Sequence, residues 1–534
     1  MSSSTAPSSR SVRRSGRLAL AAVLSGSLVA AGCTGDGSDA EQARKPAYHA
    51  PERTAPVRAP AERDVVLTDP ATPAPLRGVP DRPNLLMITL DDAAWEDMQY
   101  LPHVQELLVE GGMTLEDGLS PTPVCVPARA TLLTGQYAQN HGALTINGEG
   151  GGFTAFEDDD TLPVALQDAG YDTMFLGKYL NGYTEEHVDH QPPGWTVWRP
   201  TVDFSTYNFE DPQLLVDGEV VETHTYSTTL LSDQSTELLE DPRREQRPWY
   251  LWLNYVAPHH GGPVEDDDPK ALYPDDEHAL ATTVPEERDR DTFADLDLPD
   301  KPNMFEADPS DKVVVSAARE PVAQQRRAQM REAHQQRVEA LQSVDRAVAR
   351  TVDTLRRTGQ LDDTYVVLTS DNGFVLGEHN LEGKLWYFRE IVGVPMYIRG
   401  PGIPAGTVSR TPVSNADWAP TFAALAGATM GREVDGVDVL PWLDARASRR
   451  VVPIAGWPIK GGRTPLYTGV VVGPWTYVQG RRGQPELYYR SVDPYQLDNL
   501  ATDRRYRAKL KELRRISREY RDCAGGACPS EFYR

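Results

Sequence analysis

Apolar residues are arranged along this chain in two patterns, each predicting a different element. Unbroken apolar runs occur at Pro83 to Leu90 (Pro-Asn-Leu-Leu-Met-Ile-Thr-Leu), Tyr365 to Thr369 and Gly393 to Arg399. A run without polar alternation predicts a strand buried on both faces. Elsewhere the period is three to four. Val338, Leu341, Val344, Val348, Val352 and Leu355 predict a helix over about Pro321 to Thr358, one face in the core and stopped by Gly359. Asp417 to Leu425 predicts a helix capped by Asp417, with Pro420 in its first turn. Buried strands alternating with helices make the fold class α/β, with a large, mostly parallel central sheet flanked by helices. After Leu443 the pattern changes to short strands, Thr468 to Val472 and Thr476 to Gln479, and a basic helix from about Asp503 to Tyr520. Residues 444–534 are therefore expected to form a smaller C-terminal α+β subdomain. Glu265 to Pro309 is acidic, contains prolines and lacks a period, and is expected to be a surface excursion.

The first residues read as an address. Arg10, Arg13, Arg14 and Arg17 precede an apolar run from Leu18 to Ala31, shorter than the roughly 20 residues a bilayer span takes. Ala30-Ala31-Gly32-Cys33 resembles a bacterial lipobox, so 1–33 is expected to be a lipoprotein signal peptide and Cys33 the lipidated residue. Arg13-Arg14 hints at twin-arginine export, but Ser15-Gly16-Arg17-Leu18 matches that signal poorly, and general secretion stays open. Residues 34–80, rich in proline, are expected to form a tether ahead of a main domain at 81–443. The expected location is the outer face of a bacterial cell membrane, held there by the lipid on Cys33.

Charge narrows the partners. There are 54 basic and 78 acidic residues, and loss of the four leader arginines takes the net charge from −24 to −28. That argues against nucleic acid and makes a long polyanion an awkward ligand, although salt screens beyond about 8 Å. Cys523 and Cys528, separated by Ala-Gly-Gly-Ala in an exported chain, are expected to form a disulfide.

Two polar pairs close two of the apolar strands: Asp91-Asp92 the first and Asp371-Asn372 the second. Open α/β sheets bind ligands beyond the carboxyl ends of their strands. Three carboxylates and an amide oxygen are hard donors suited to Ca²⁺ or Mg²⁺ and poorly suited to zinc. Cys125-Val126-Pro127-Ala128-Arg129 opens a predicted helix, with Pro127 tolerated in its first turn. Helix N-termini attract anions, and Arg129 adds a fixed, fork-shaped cation one turn on.

This pentapeptide, continued by Ala130-Thr131-Leu132-Leu133-Thr134-Gly135-Gln136-Tyr137, resembles the signature of the type I sulfatases. From about Pro83 to Leu443 the chain is similar to that family, whose fold is alkaline-phosphatase-like. The resemblance implies that a formylglycine-generating enzyme oxidises Cys125 to formylglycine, whose hydrate attacks the sulfur of a sulfate ester. It implies Asp91, Asp92, Asp371, Asn372 and residue 125 as metal ligands, with Ca²⁺ expected and Mg²⁺ possible. It implies Lys178 in Gly177-Lys178-Tyr179, His259 in Ala257-Pro258-His259, and Lys384 as sulfate-binding residues beside Arg129. His259 would donate a proton to the departing alkoxide. One position departs from the pattern. Many members carry histidine two residues after the first lysine, as the base that frees sulfate; here Leu180 stands, followed by Asn181. The run is similar to the N-acetylglucosamine-6-sulfatase branch, and His141 or His379 could serve as base or be structural. Trp195, Trp198 and Tyr207 would suit the apolar face of a sugar. The expected substrate is a small or terminal sulfated sugar such as N-acetylglucosamine 6-sulfate. The alternatives are a phosphonate monoester or phosphodiester hydrolase of the same superfamily, and an inactive lipoprotein that binds glycans.

Overall fold

The computed structural model describes residues 67–534 apart from 68, 75, 267, 271, 273–279, 444–446 and 529. The expected signal peptide, Cys33 and most of the proline-rich tether lie outside the described residues.

The central sheet runs through β1 (Asn84–Leu90), β2 (Met113–Leu115), β3 (Asp172–Lys178), β4 (Val197–Thr201), β5 (Gln213–Val216), β6 (Glu219–Glu222), β7 (Trp249–Asn254), β8 (Thr364–Ser370), β9 (Met396–Arg399) and β10 (Thr407–Ser409). Their spatial order is β10-β2-β9-β8-β1-β7-β3-β4-β5-β6. The five central strands, β8 to β4 in that order, pair in parallel. β9 is antiparallel to both neighbours, and β5 and β6 complete an antiparallel edge. β1 therefore lies where the chain order turns back, with β7 on one side and β8 on the other.

Alternation within the apolar runs explains the layers. Leu85 and Met87 of β1 face one core with Tyr365 and Val367 of β8, while Leu86, Ile88 and Leu90 face the other with Val366 and Leu368. The helices that cover the first face include α1 (Cys125–Thr134), through Val126 and Ala130, and α4 (Trp418–Ala426), through Trp418 and Phe422. The second is covered by α2 (Ser227–Glu240), through Leu231 and Leu238, and α3 (Gln324–Arg357), through Leu341, Val344, Val348, Val352 and Leu355. Each such aliphatic side chain, once buried, contributes on the order of 1.5–3 kcal/mol. No helix among the described residues is long and apolar enough to cross a membrane.

Beyond residue 446 a four-stranded antiparallel sheet forms from β11 (Val451–Gly456), β12 (Tyr467–Val472), β13 (Trp475–Gly480) and β14 (Pro485–Tyr489). The basic helix α5 (Arg507–Arg521) lays Leu513, Ile516 and Tyr520 against Val470, Val472 and Trp475 of that sheet. Cys523 and Cys528 are joined by a disulfide just beyond it.

Three sequence expectations change. α3 begins at Gln324, not near Pro321, because residues 316–323 form a separate 3-10 turn and an extended entry. Asp417 stands at the N-cap position of α4, but its side chain makes no cap hydrogen bond to that helix. A 3-10 turn, Asn415–Asp417, leads into the helix from Ser414, and the Asp417 carboxylate accepts the Ser414 N–H at 2.7 Å. The described part of 265–309 is exposed or half-buried over much of its length, as a surface excursion would be, and what changes is that it is anchored. Asp268 accepts from Thr282 and from Gln336 of α3, and Asn303 is fully buried beneath the 379–390 segment.

Candidate active site

The site forms because parallel strands end in step. Leu90 pairs with Ser370, so Asp91 and Asp371 emerge side by side. Asn254 is level with both Thr89 and Gly177, which places Lys178 and the His259 loop at the same sheet edge. Neighbouring residues in a strand point to opposite faces. Asp92 escapes that rule with φ of 67°, a left-handed turn that lets both aspartates reach one center.

Cys125 is the first residue of α1 and sits on this center, its Sγ donating to Asp91 Oδ1 at 3.3 Å. Lys384 Nζ, from the loop after the two-stranded ribbon Val375–Leu376 and Glu382–Gly383, donates to Cys125 Sγ at 2.8 Å and to Asp92 Oδ1 at 2.5 Å. Lys178 Nζ contacts Asp91 Oδ2. Arg129 donates through Nε to Asp371 Oδ2 at 2.9 Å and through Nη1 to the Lys178 carbonyl at 2.8 Å and Asn254 Oδ1 at 3.0 Å. Asp371 Oδ1 accepts the N–H groups of Asp92 and Asn372. Asn372 Nδ2 donates to Asp92 Oδ1 at 2.7 Å. His259 Nδ1 donates to the His260 carbonyl at 2.7 Å, leaving Nε2 at 3.6 Å from Asp92 Oδ2. The structure thus gathers Asp91, Asp92, Cys125, Arg129, Lys178, His259, Asp371, Asn372 and Lys384 around one point.

The charges are strongly interdependent. Burial works against ionisation of Asp91, yet Lys178, His259 and Arg129 hold its carboxyl well below the ordinary range. Asp92 is lowered in the same way, against burial, chiefly by Lys384. Asp371 moves oppositely, pushed up to about 7 by burial and by Asp91. Burial also pushes the Cys125 thiol up to about 12, so as a thiol it is not a thiolate at neutral pH.

Whether these residues suit a cation is answered by their orphaned atoms. Asp92 Oδ2 and Asn372 Oδ1 are buried without a hydrogen-bond partner, a costly state unless another ligand engages them. Donor atoms of Asp91, Asp92, Cys125 and His259 lie within 4.8 Å of one another. Hard, mostly anionic oxygens with unused lone pairs fit a divalent cation such as Ca²⁺ or Mg²⁺. Asp371 is further engaged by Arg129 and two N–H groups, so it orders the center as well as facing it. Arg129 Nη2, 4.0 Å from Asp91 Oδ1, is a buried donor without a hydrogen-bond partner, available to an anion.

Other expected residues lie elsewhere. His141 packs behind α1 against Thr131 and Phe156, and burial pushes its pKa down to about 3. His379 is fully buried, bonded to Glu306 at 2.8 Å and stacked on Phe388. Neither touches the center. Leu180 is core. Trp195 and Trp198 correct an expectation: they are buried around Phe175, Tyr179 and Tyr250 and offer no face to a sugar. Tyr207 is different, its ring 5.0 Å from Lys178 Nζ and 4.7 Å from the His259 ring.

Sequence reasoning missed Asn254 and Arg337. Asn254 had a signal, since it closes the apolar β7 as Asp91 closes β1. Arg337 had none. It projects from α3, donating to the Asp92 carbonyl at 2.7 Å, the Pro258 carbonyl at 3.2 Å and Asp97 Oδ2 at 3.0 Å. It therefore ties together the loops that carry Asp92 and His259.

Comparison with known proteins adds a family. A family profile described as Sulfatase matches residues 83–428. The chain is 31% identical over 370 residues to an arylsulfatase of Volvox carteri, covering 65% of this chain and 56% of that protein. It is 32% identical over 378 residues to the extracellular sulfatase SULF-1 homolog of Drosophila melanogaster, covering 68% of this chain and 32% of that one. Against the N-acetylglucosamine-6-sulfatase of Homo sapiens the identity is 28% over 380 residues, covering 68% and 64%. The chain thus spans less than two thirds of the length of each of these relatives. In structure, a protein solved in complex with its substrate D-glucosamine-2-N,6-O-disulfate matches with a TM-score of 0.67 at 21% identity, covering 82% of this chain and 97% of that one. The phosphonate monoester hydrolase of Agrobacterium radiobacter matches with a TM-score of 0.61 at 19% identity, covering 81% and 94%. At these identities the structural likeness is one of fold.

Proposed function

Because the chain belongs to the sulfatase family, we propose that it is an exported, metal-dependent hydrolase of sulfate esters on sugars, with residue 125 as the nucleophile. Its sheet and helices are those of the alkaline-phosphatase-like sulfatase fold. The observation that carries the reading is the placement of Cys125 at a helix N-terminus among two lysines, an arginine and a histidine, beside a buried carboxylate group with unused oxygens.

As a protonated thiol, Cys125 is a poor nucleophile. Oxidised to formylglycine, residue 125 would supply a hydrated aldehyde, a nucleophile that can be regenerated after sulfate leaves. A divalent cation held by Asp91, Asp92, Asp371, Asn372 and residue 125 would supply Lewis-acid neutralisation of sulfate charge. The chain's own residues do the rest. Lys178 and Lys384 keep their ammonium groups charged: burial opposes this, but Asp91 and Asp92 respectively raise both pKa values above the ordinary lysine range. They grip sulfate oxygens, and Arg129 Nη2 offers a further donor. The bond from Nδ1 to the His260 carbonyl turns His259 Nε2 toward the center, where it can hold the proton needed by the departing sugar oxygen. Burial lowers the His259 pKa well below its ordinary value, so that proton is held best when an anionic substrate is beside it.

For the substrate we favour a 6-sulfated N-acetylglucosamine in a small or terminal position. The relatives of that name and the run Gly177-Lys178-Tyr179-Leu180-Asn181 support this. The test is sulfate release from an aryl sulfate and from N-acetylglucosamine 6-sulfate, against hydrolysis of an aryl phosphonate, with and without prior treatment by a calcium chelator. Both sulfates should be turned over faster than the phosphonate, and chelation should remove most of the rate until Ca²⁺ or Mg²⁺ is restored. A preference for phosphonate, or indifference to chelator, counts against the reading. The mass of the tryptic peptide holding residue 125 in active protein should be that of the aldehyde, not the thiol. The anchor is a separate proposal: a Cys33→Ser variant expressed in a Gram-positive host should move from the membrane fraction to the medium, and retention at the membrane would dismiss a lipid on Cys33.

A further inference from the structure

We propose that the paired loops 202–209 and 260–265 form a subsite for the sugar next to the sulfated one, accepting an uncharged or amine-bearing ring and disfavouring a sulfated or carboxylated one. This rests on the sulfatase reading above and adds what lies beyond the sulfate.

The two loops are a single built unit at the site. Asn208 bridges to Gly262, the Gly262 N–H donates to the Tyr207 carbonyl at 2.8 Å, and the Phe209 N–H donates to the Gly262 carbonyl at 2.8 Å. One loop brings Tyr207, whose ring lies over Lys178 and against His259 and whose hydroxyl accepts from Asn181 at 2.8 Å. The other brings exposed His260, whose ring lies 4.0 Å from that of His259 at a tilt of 30° and stands nearly parallel to Tyr207, 6.4 Å away at 10°. Sulfate-binding residues and loop residues are thus continuous.

Three and four residues from these aromatics stand Phe204 and Val264, 80% and 82% exposed, the two most exposed large apolar side chains among the described residues. Packing does not account for either. Phe204 also sits at φ 73° and ψ −53°, a backbone region that side-chain-bearing residues enter at a cost. It is held there from the site: Asp203 accepts the N–H of Gly182, in the loop that follows Lys178, at 2.6 Å, while Ser205 and Thr206 bond back to the Val202 carbonyl. A strained aromatic kept in solvent and fastened to the active-site loop has a use in contact, and a sugar ring's apolar face is the surface that stacks on such a group.

The flank behind Val264 decides charge. A cavity of about 390 Å³ opens there, lined by Glu210, Glu265, Asp266, Asp291 and other carboxylates. Arg290 is the one basic side chain lining it among the described residues, and it is paired with Glu210 at 2.8 Å and Glu265 at 2.6 Å. Gln336, 3% exposed, lines the same cavity with its Oε1 buried and unpartnered, one more acceptor and no donor. An ammonium or hydroxyl group finds partners in such a wall, whereas a second sulfate or a uronate meets repulsion within the range that salt does not screen.

The experiment compares wild type, the double variant Phe204→Ser/Val264→Ser, and Asp266→Lys. The substrates are an aryl sulfate, a disaccharide of 6-sulfated N-acetylglucosamine linked to galactose, and the same sulfated sugar linked to a uronate. Wild type should favour the galactose disaccharide over the uronate one by about tenfold or more in kcat/KM. The double variant should raise KM about tenfold for the galactose disaccharide, leaving kcat and the aryl sulfate rate unchanged. Asp266→Lys should narrow the preference, more so at low salt. Unchanged KM in the double variant, or equal wild-type rates on the two disaccharides, overturns the inference while aryl sulfate turnover still upholds the family reading. Wild type inert toward all three would overturn both.

Discussion

Replacing Cys125 by alanine should lower turnover of any sulfate ester by at least about 10⁴-fold, the scale seen when a covalent nucleophile is removed. The fold should survive. Cys125 is buried, but its sulfur touches the site groups Asp91 and Lys384, and its helix is held by Val126, Ala130 and Leu133 in the apolar core. Loss of one sulfur atom should cost about 1 kcal/mol, the center of the usual range for point substitutions. The Lys384–Asp92 pair remains to keep the loops together. The readouts are initial rates on an aryl sulfate and the urea midpoint of the same preparation. Appreciable turnover by purified Cys125→Ala protein, with carried-over wild type excluded by mass, would falsify the assignment of residue 125 as nucleophile.

The largest stability effect is expected at a pair outside the site. Arg450 and Asp417 are both fully buried and meet at 2.6 Å. The arginine immediately precedes β11 of the C-terminal sheet, and the aspartate stands where the chain turns into α4. Burial opposes the charge on Arg450, and Asp417 more than offsets it, so the guanidinium pKa lies above its ordinary value. Removing one member strands the other charge in a dry interior, which costs about 3–5 kcal/mol. That is a large part of the roughly 5–15 kcal/mol by which a native fold is stable. Arg450→Met should therefore lower the urea midpoint sharply. Adding Asp417→Asn should recover part of the loss, because the amide carries no charge and its single oxygen can still accept one of the two N–H groups, of Ser414 and Val437, that the carboxylate oxygens hold separately. A single variant as stable as wild type, or a double variant weaker than the single one, would show that the pair does not join these segments.

Legibility from sequence divides along a physical line. Local order and residue chemistry were readable. The unbroken runs of β1 and β8 are buried on both faces and announce themselves by composition, and the three- to four-residue period of α3 persists through its buried positions from Val338 to Leu355. Asp91-Asp92, Asp371-Asn372 and the Cys125 pentapeptide are contiguous, so their meaning needs no knowledge of what lies opposite them. The antiparallel placement of β9 was not readable, because a buried run looks the same in either direction. The fate of the aromatics was decided by packing as well. Trp195, Trp198 and Tyr207 are alike as a sequence cluster, yet the first two close the core over Phe175 while Tyr207 reaches Lys178. The histidines divide in the same way. His141 and His379 are chemically equal to His259, and only the register of β7 against β1 and β3 brings the third to the center. Arg337 marks the limit most clearly. Nothing in its helix distinguishes it from the other arginines of α3, and its role arises from two backbone carbonyls, of Asp92 and Pro258, that lie 245 and 79 residues away in sequence. Side-chain type and spacing determined which chemistry this chain can hold; the step-matched ends of parallel strands, a long-range property of the sheet, determined which of the eligible side chains meet.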